Sequence, residues 1–349
     1  MNVAEQYFDA IQHGLENLEG AAQQWLLDLE GVRVRICVLG KALCDTLVRA
    51  MPLRAWHRAM QVADADRVLW AIDTREFPLS APAGIVNPHE FSVRGEVHSL
   101  SAGDVLTLAG ANPPWLGMVH QRSSLGFYIT PSAQSLPSWA QAAPMRETLY
   151  LMTRSHAGMM MHAAVLGMDG CGVLLAGKGG SGKSTTSLLG LMHGLQFAGD
   201  DYVHCAKAGA DWRGHTLYDT AKVKPQSLQL FPMLIPMIER LSNDTEQKWV
   251  VFARRHFPSQ MASSLCLKAI LLPRIGNGTA TNLTPARASD AVWALAPTTT
   301  AQMPFAGIEV LTLCKQMAND LPAFWLDLGS DAEGIVAVLK DMLERLKHE

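Results

Sequence analysis

The sequence predicts an α/β chain in which a small α+β domain precedes a phosphate-loop domain, and three observations carry that prediction. Residues 177–184, GKGGSGKS, spell G-x4-G-K-[ST] between an apolar run at 172–176 and another at 185–195, so strand, loop and helix stand in the order the motif requires. An acidic pair, Asp200-Asp201, arrives one short helix later. Far upstream, Val32, Val34, Ile36 and Val38 alternate with Arg33, Arg35 and Cys37, the period of a strand covered on one face.

Each loop position has a physical task. Gly177, Gly179, Gly180 and Gly182 allow several main-chain N–H groups to converge on phosphate oxygens, and the helix that follows aims its positive end at the same anion. Lys183 has the reach for the terminal phosphates, and the Ser184 hydroxyl is of the type that ligates the accompanying Mg2+. Lys178, Ser181 and Thr185 complete the candidate nucleotide-binding set. Residues 196–198 read as the next strand after a helix at 184–194, which in a parallel sheet would set the acidic pair beside the loop strand. Neighbouring side chains on extended backbone diverge, so one carboxylate can face a metal and the other an incoming hydroxyl.

A histidine beside Met161 and Ala163 is ordinarily a satisfied core residue, but His162 stands just before the strand that feeds the loop. An imidazolium there would orient Asp200 and oppose the charge of a moving phosphoryl group. Together, His162, the loop at 177–184 and Asp200-Asp201 resemble the nucleotide site of HPr kinase/phosphorylase, the bacterial serine kinase whose P-loop domain is related in fold to phosphoenolpyruvate carboxykinase. The resemblance covers roughly residues 145–273 and implies an HPr kinase/PEP carboxykinase-like kinase domain using ATP and Mg2+. It implies that Lys183 and Ser184 hold the phosphates and Mg2+, that Asp201 helps hold the metal, that Asp200 takes the proton of an acceptor serine, and that His162 lies near this base. The family's second signature, rich in Arg, Gly and Ile and tied to the dephosphorylating reaction, is replaced here by Leu217-Tyr218-Asp219-Thr220-Ala221-Lys222, so only the kinase half carries over. The chain is similar to HPr-kinase-like enzymes that modify peptides or other small acceptors beside biosynthetic genes, and such relatives are often oligomeric.

Arg274 follows a short apolar strand at 269–272 and Pro273. Ligands gather at such strand ends in open α/β sheets, which makes Arg274 the candidate arginine for the transferred phosphate. Lys222 and Lys224 read equally well as phosphate partners or solvated charges.

With 349 residues, 48% of them hydrophobic, the chain has room for two cores: an N-terminal α+β domain at 1–130, a Pro- and Ser-containing linker at 131–144, and the phosphate-loop domain at 145–349. A net charge of −3 gives no attraction to nucleic acid or anionic lipid. The six cysteines lack any C-x-x-C spacing, as reduced cytoplasmic thiols do, and the first 32 residues hold six acids and no Lys or Arg, the reverse of a targeting segment. A cytoplasmic protein follows from these readings, and the resemblance implies a serine-bearing protein or peptide as partner.

Along the chain, apolar spacing predicts one or two helices over 4–29, broken near Gly20. Further strands are expected at 67–72, 92–100, 105–108 and 126–130, and a helix at 146–154. A turn is expected at 211–214, an apolar layer at 228–241, a polar loop at 243–248, a strand at 249–252, a helix at 289–295, a strand at 322–328 and a final helix carrying Ile335, Leu339, Met342 and Leu346. His89, His98 and His120 share no ligand spacing and read as ordinary histidines, and Arg33 and Arg35 as a solvated strand face.

Three other functions compete with a serine kinase. Lys178 makes the loop compatible with ParA/MinD-type ATPase switches, although those usually carry it near the N-terminus. A nucleotide-binding regulatory module would leave Asp200 idle. A carboxykinase would need a second set of metal and oxaloacetate ligands, and fold analogy alone does not supply one.

Overall fold

The computed structural model describes residues 2–56, 65–79, 90–111, 114–155, 157–225, 228, 232–241, 249–276 and 278–348. These form two compact units with mixed α/β content: Met1–Arg49, Leu53–Arg154 and Met303–Phe305 in the first, Ala50–Pro52, Ser155–Gln302 and Ala306–Glu349 in the second. No helix among the described residues is long and apolar enough to cross a membrane.

In the first unit, α1 (Val3–Leu15) starts with a capping box: Asn2 Oδ1 accepts from the Glu5 N–H at 2.9 Å, and Glu5 returns an acceptor to the Asn2 N–H. It buries Phe8, Ile11 and Leu15, but the helix expected over 4–29 ends there. Residues from Gln23 form β1 (Gln23–Leu29), paired antiparallel with β2 (Val32–Leu39) around Gly31 at φ 72°. The apolar residues at 25–29 satisfy a helical count over so short a window, and the hairpin partner overrides it. Next come α2 (Lys41–Ala50), β3 (Arg54–Ala55), β4 (Arg67–Asp73), β5 (Val105–Ala111), β6 (Pro114–His120), β7 (Leu125–Thr130), α3 (Ser138–Ala142) and α4 (Arg146–Thr153). The seven strands make one mixed sheet in the order β3-β1-β2-β4-β7-β6-β5.

Three expectations for this unit are corrected. Residues 92–100 make no full strand, only an isolated bridge of Glu96 to Leu108 on β5, and the buried Glu96 carboxylate accepts from Ser92, Arg94 and the Phe305 N–H. The stretch at 131–144 is not a linker, because it holds α3, buries Leu136, Ala140, Ala142 and Ala143, and belongs to the unit that runs on to Arg154. Arg35 is no solvated charge: it is 6% exposed, bonded to Gln24 and Glu19. His98 lies 3.6 Å from Glu96, His120 accepts from the Ser123 N–H, and His89 falls outside the described residues.

In the second unit the strands are β8 (Gly158–Met161), β9 (Ala164–Met168), β10 (Cys171–Leu175), β11 (Gln196–Phe197), β12 (Val203–Ala208), β13 (Asp211–Thr216), β14 (Thr220–Val223), β15 (Ile238–Glu239), β16 (Trp249–Phe252), β17 (Ser264–Ile275), β18 (Asn282–Ala286) and β19 (Ala323–Leu328). The helices are α5 (Lys183–Met192), α6 (Ala253–His256), α7 (Ala288–Gln302), α8 (Ile308–Asp320) and α9 (Ala332–Leu346). The main sheet runs β11-β9-β10-β17-β13-β12-β8, with β19 also on β17 and β18 on β19; β14-β16-β15 form a separate sheet. On one face α5 and α9 bury Leu188, Leu189, Leu339 and Leu343 against Val173, Leu175, Leu271 and Leu326.

The expected turn at 211–214 is the start of β13, which buries Trp212; the reversal falls at Gly209, with φ 63°. The loop expected at 243–248 lies outside the described residues. The strand at 196–198 is also placed differently. It is not beside β10 but one strand away, antiparallel to β9, which is itself antiparallel to β10. Two reversals restore the direction of β10, so the segment still delivers its carboxyl end to the end of the sheet where the loop lies.

Candidate functional site

The loop is built by the meeting of β10, α5 and the end of β17. β10 and β17 are parallel, and the Ala176 N–H donates to Leu271 O, carrying the pairing to the first residue of the turn. Gly182, the residue before α5, has φ 108°, and a Cβ there would lie 2.3 Å from Leu328 Cδ1. Around Gly179 and Gly180 a Cβ would meet nothing within 4 Å, so the outer side of the loop is open. Lys178, Gly179 and Gly180 are exposed, Ser181 and Thr185 half-buried, and Ser181 Oγ has no hydrogen-bond partner. Lys183 is 5% exposed, and its ammonium donates to Gly177 O at 2.6 Å and Lys178 O at 3.4 Å. Burial pulls its pKa down while Asp200 and Asp201 push it up.

The acidic pair is held on the same side. Val165 bonds both Ala198 and Gly199 main chains, and Asp201 takes φ 65°, a left-handed conformation that turns the two carboxylates apart. Asp200 is 2% exposed; its Oδ1 accepts from Ser187 Oγ at 3.3 Å, it takes a hydrogen bond from the Ser184 side chain, and its Oδ2 is buried without a partner. Burial and the adjacent Asp201 charge push its pKa up to about 7. Asp201 lies 3.2 Å from the Lys222 ammonium and 3.7 Å from His162 Nε2, and these partners outweigh burial and hold its carboxyl well below the usual range.

His162 follows β8, is 7% exposed, and its main-chain N–H donates to Thr299 Oγ1 of α7 at 3.2 Å. Its side chain faces Asp201, not Asp200 as expected, and burial pulls its pKa down, favouring the neutral ring over an imidazolium. Its Nδ1 is buried with no partner. Arg274 is also not gathered into the cluster. It lies at the end of β17, but its guanidinium makes two bonds to Asp327, its register partner on β19, and stacks 4.7 Å over Trp325. A strand-end position was legible, whereas the acidic residue waiting across the parallel pair was not.

The structure therefore brings together Lys183, Ser184, Asp200, Asp201 and His162, and adds Ser187, Lys222 and Thr299. Ser187 was findable, being one turn beyond Lys183 on the same helix face. Thr299, 137 residues from its partner, left no local signal.

No family model matches this chain, and no curated protein matches it. Among solved structures, the Hpr(Ser) kinase/phosphatase from Coxiella burnetii is similar over 54% of this chain and 96% of its own, with 11% identity and a TM-score of 0.31. At that level the functional reading is left to the site itself.

The residues present fit a Mg2+-bound nucleoside triphosphate. The glycine cradle is open outward and an ammonium lies across its floor, with the Ser184 hydroxyl at the start of α5 and the partly exposed Asp201 carboxylate among the oxygen donors of the site.

Proposed function

We propose that the chain is an ATP- and Mg2+-dependent kinase that transfers the γ-phosphoryl group to a serine hydroxyl of a protein or peptide acceptor. One observation supports this most: beside the phosphate loop, two consecutive carboxylates face different partners, Asp200 buried against Ser187 of α5 and Asp201 partly exposed between Lys222 and His162. A nucleotide switch needs one carboxylate for its metal; a second one, whose proton affinity burial raises, suits proton transfer.

In this reading the main chain of residues 177–184 and Lys183 hold the phosphates, with Ser181 and Thr185 at the loop's edge. Ser184 and Asp201 hold Mg2+, which supplies charge neutralisation at the phosphates. The serine oxygen attacks the γ-phosphorus, the bond to the β–γ bridging oxygen breaks, and the serine proton passes to Asp200. His162, neutral and 3.7 Å from Asp201, orients that carboxylate. Arg274 has no part in the step, being engaged by Asp327. The reaction belongs to the cytoplasm, needs neither nucleic acid nor membrane, and leaves a homo-oligomer open to the enzyme.

The test is transfer of label from γ-32P-ATP to an array of serine-containing peptides. Wild type should label a subset at serine, and Asp200→Asn should label none while binding Mg·ATP normally. Hydrolysis without labelling of any serine peptide or of proteins in a cell extract would sink the kinase reading.

A further inference from the structure

Two adjacent carboxylates, Asp200 2% exposed and the Asp201 side chain 20% exposed, call for cations close by, and the loop lysine answers only part of that need. The other part comes from a different sheet. Lys222 lies on β14, where it pairs with Val250 of β16, and its side chain is 11% exposed. It touches both members of the pair in different ways: its main-chain N–H bonds Asp200, and its ammonium lies 3.2 Å from Asp201 Oδ2. The stem passes the Tyr202 ring, with the ammonium 5.9 Å from the centroid. β14 is itself anchored, since Asp219 just before it is 1% exposed, accepts from Arg254 at 2.6 and 3.0 Å, and receives the Ala253 N–H at the end of β16. The lysine is thus carried by a clamped strand, with its ammonium within ion-pair distance of Asp201.

We propose that Lys222 is the resident counter-cation of the acidic pair, a positioning residue that holds Asp200 by its main chain and Asp201 by its side chain and thereby limits the divalent metal the pair takes up without nucleotide. The groups facing the pair are Lys183, Ser184 and Ser187 from α5, His162 from the end of β8 and Lys222 from β14. Of these, Lys222 brings its ammonium to 3.2 Å from Asp201 Oδ2, closer than His162 Nε2 at 3.7 Å. Removing the ammonium leaves the buried Asp200, one of whose oxygens already lacks a partner, beside an Asp201 that has lost its 3.2 Å ion pair. A metal cation would fill that need. The assignment goes beyond the kinase reading, and its Mn2+-binding test needs neither ATP nor acceptor.

The experiment measures Mn2+ alone, by electron paramagnetic resonance and calorimetry, on the nucleotide-free full chain as wild type, Lys222→Met and Lys222→Arg. Lys222→Met should bind Mn2+ at least tenfold more tightly than wild type, and Lys222→Arg should stay within about threefold of it. Transfer to a labelled peptide, once found, should fall at least tenfold in Lys222→Met and recover in Lys222→Arg. Should Lys222→Met be too unstable to titrate, its melting temperature is measured with and without Mn2+, and selective stabilisation by Mn2+ supports the assignment. Unchanged or weaker Mn2+ binding in Lys222→Met, or melting indifferent to Mn2+, overturns it. Tighter Mn2+ binding with no acceptor ever labelled would remove the kinase reading and leave Lys222 as the counter-cation.

Discussion

Asp200 and Asp201 are neighbours in the chain yet meet different surroundings, because the left-handed turn at Asp201 sends one side chain toward α5 and the other toward β14. If Asp200 is the base, Asp200→Asn should keep Mg·ATP affinity while single-turnover transfer falls by ~10²–10⁴. Asp201→Asn should weaken metal-dependent nucleotide binding as well as transfer, by calorimetry and the same assay. The reverse pattern would hand the metal to Asp200, the carboxylate that shares the Ser184 hydroxyl. The proton affinities also make a stability prediction. Asp200 has its pKa raised from 3.8 to about 7 in the folded chain, so the native state binds this proton more tightly than the unfolded one. Its contribution is fully present below the unfolded value and is lost as pH rises toward 7. Asp201 has the opposite sign, stabilising above its unfolded value and failing in acid. Nucleotide-free Asp200→Asn should therefore gain on wild type between pH 5 and pH 8, on the order of 1–4 kcal/mol given the coupling of the pair. Thermal melts showing the same difference at both pH values would refute this.

Among the elements, the turn between β10 and α5 carries the tightest conformational demand. Gly182 combines φ 108° with a Cβ position 2.3 Å from Leu328 Cδ1, whereas Gly179 has open space and no positive φ. Gly182→Ala should cost ~1–3 kcal/mol in denaturant unfolding and impair nucleotide binding, and Gly179→Ala should leave stability unchanged. Equal effects of the two would mean that the turn is not set by backbone strain. Core packing at β11 makes a second demand. Phe197 of β11 is fully buried, and Phe197→Ala should cost ~3–5 kcal/mol, read from the midpoint of urea unfolding.

At the level of the whole molecule, the alternative to a kinase is a switch that dimerises around ATP, and Lys178, exposed at the open edge of the loop, is the residue such a dimer would need. A kinase should sediment identically as wild type and Lys178→Ala, with and without Mg·ATP, and keep its transfer activity. Loss of an ATP-dependent dimer in Lys178→Ala, with no acceptor labelled, would decide for the switch. Either way the machinery named here, from His162 to Thr299, lies within the second unit.

What the sequence by itself determined is what is local. The order strand, glycine loop, helix and acidic pair needs only neighbouring residues, and α4, β2, β16, β19 and α9 were legible because each has a clear period or clear ends. The tertiary structure decided what depends on partners distant in the chain. Apolar residues at 25–29 became a strand because β2 offers a ladder, and 131–144 became buried because its small apolar residues find a core. Arg274 was taken by Asp327, 53 residues on, while Lys222, which the sequence left open between a phosphate partner and a solvated charge, was brought to Asp201 by a separate sheet. The physical reason is common to these cases: backbone propensity acts over a few residues, whereas a buried charge takes whichever opposite charge the fold delivers within about 4 Å.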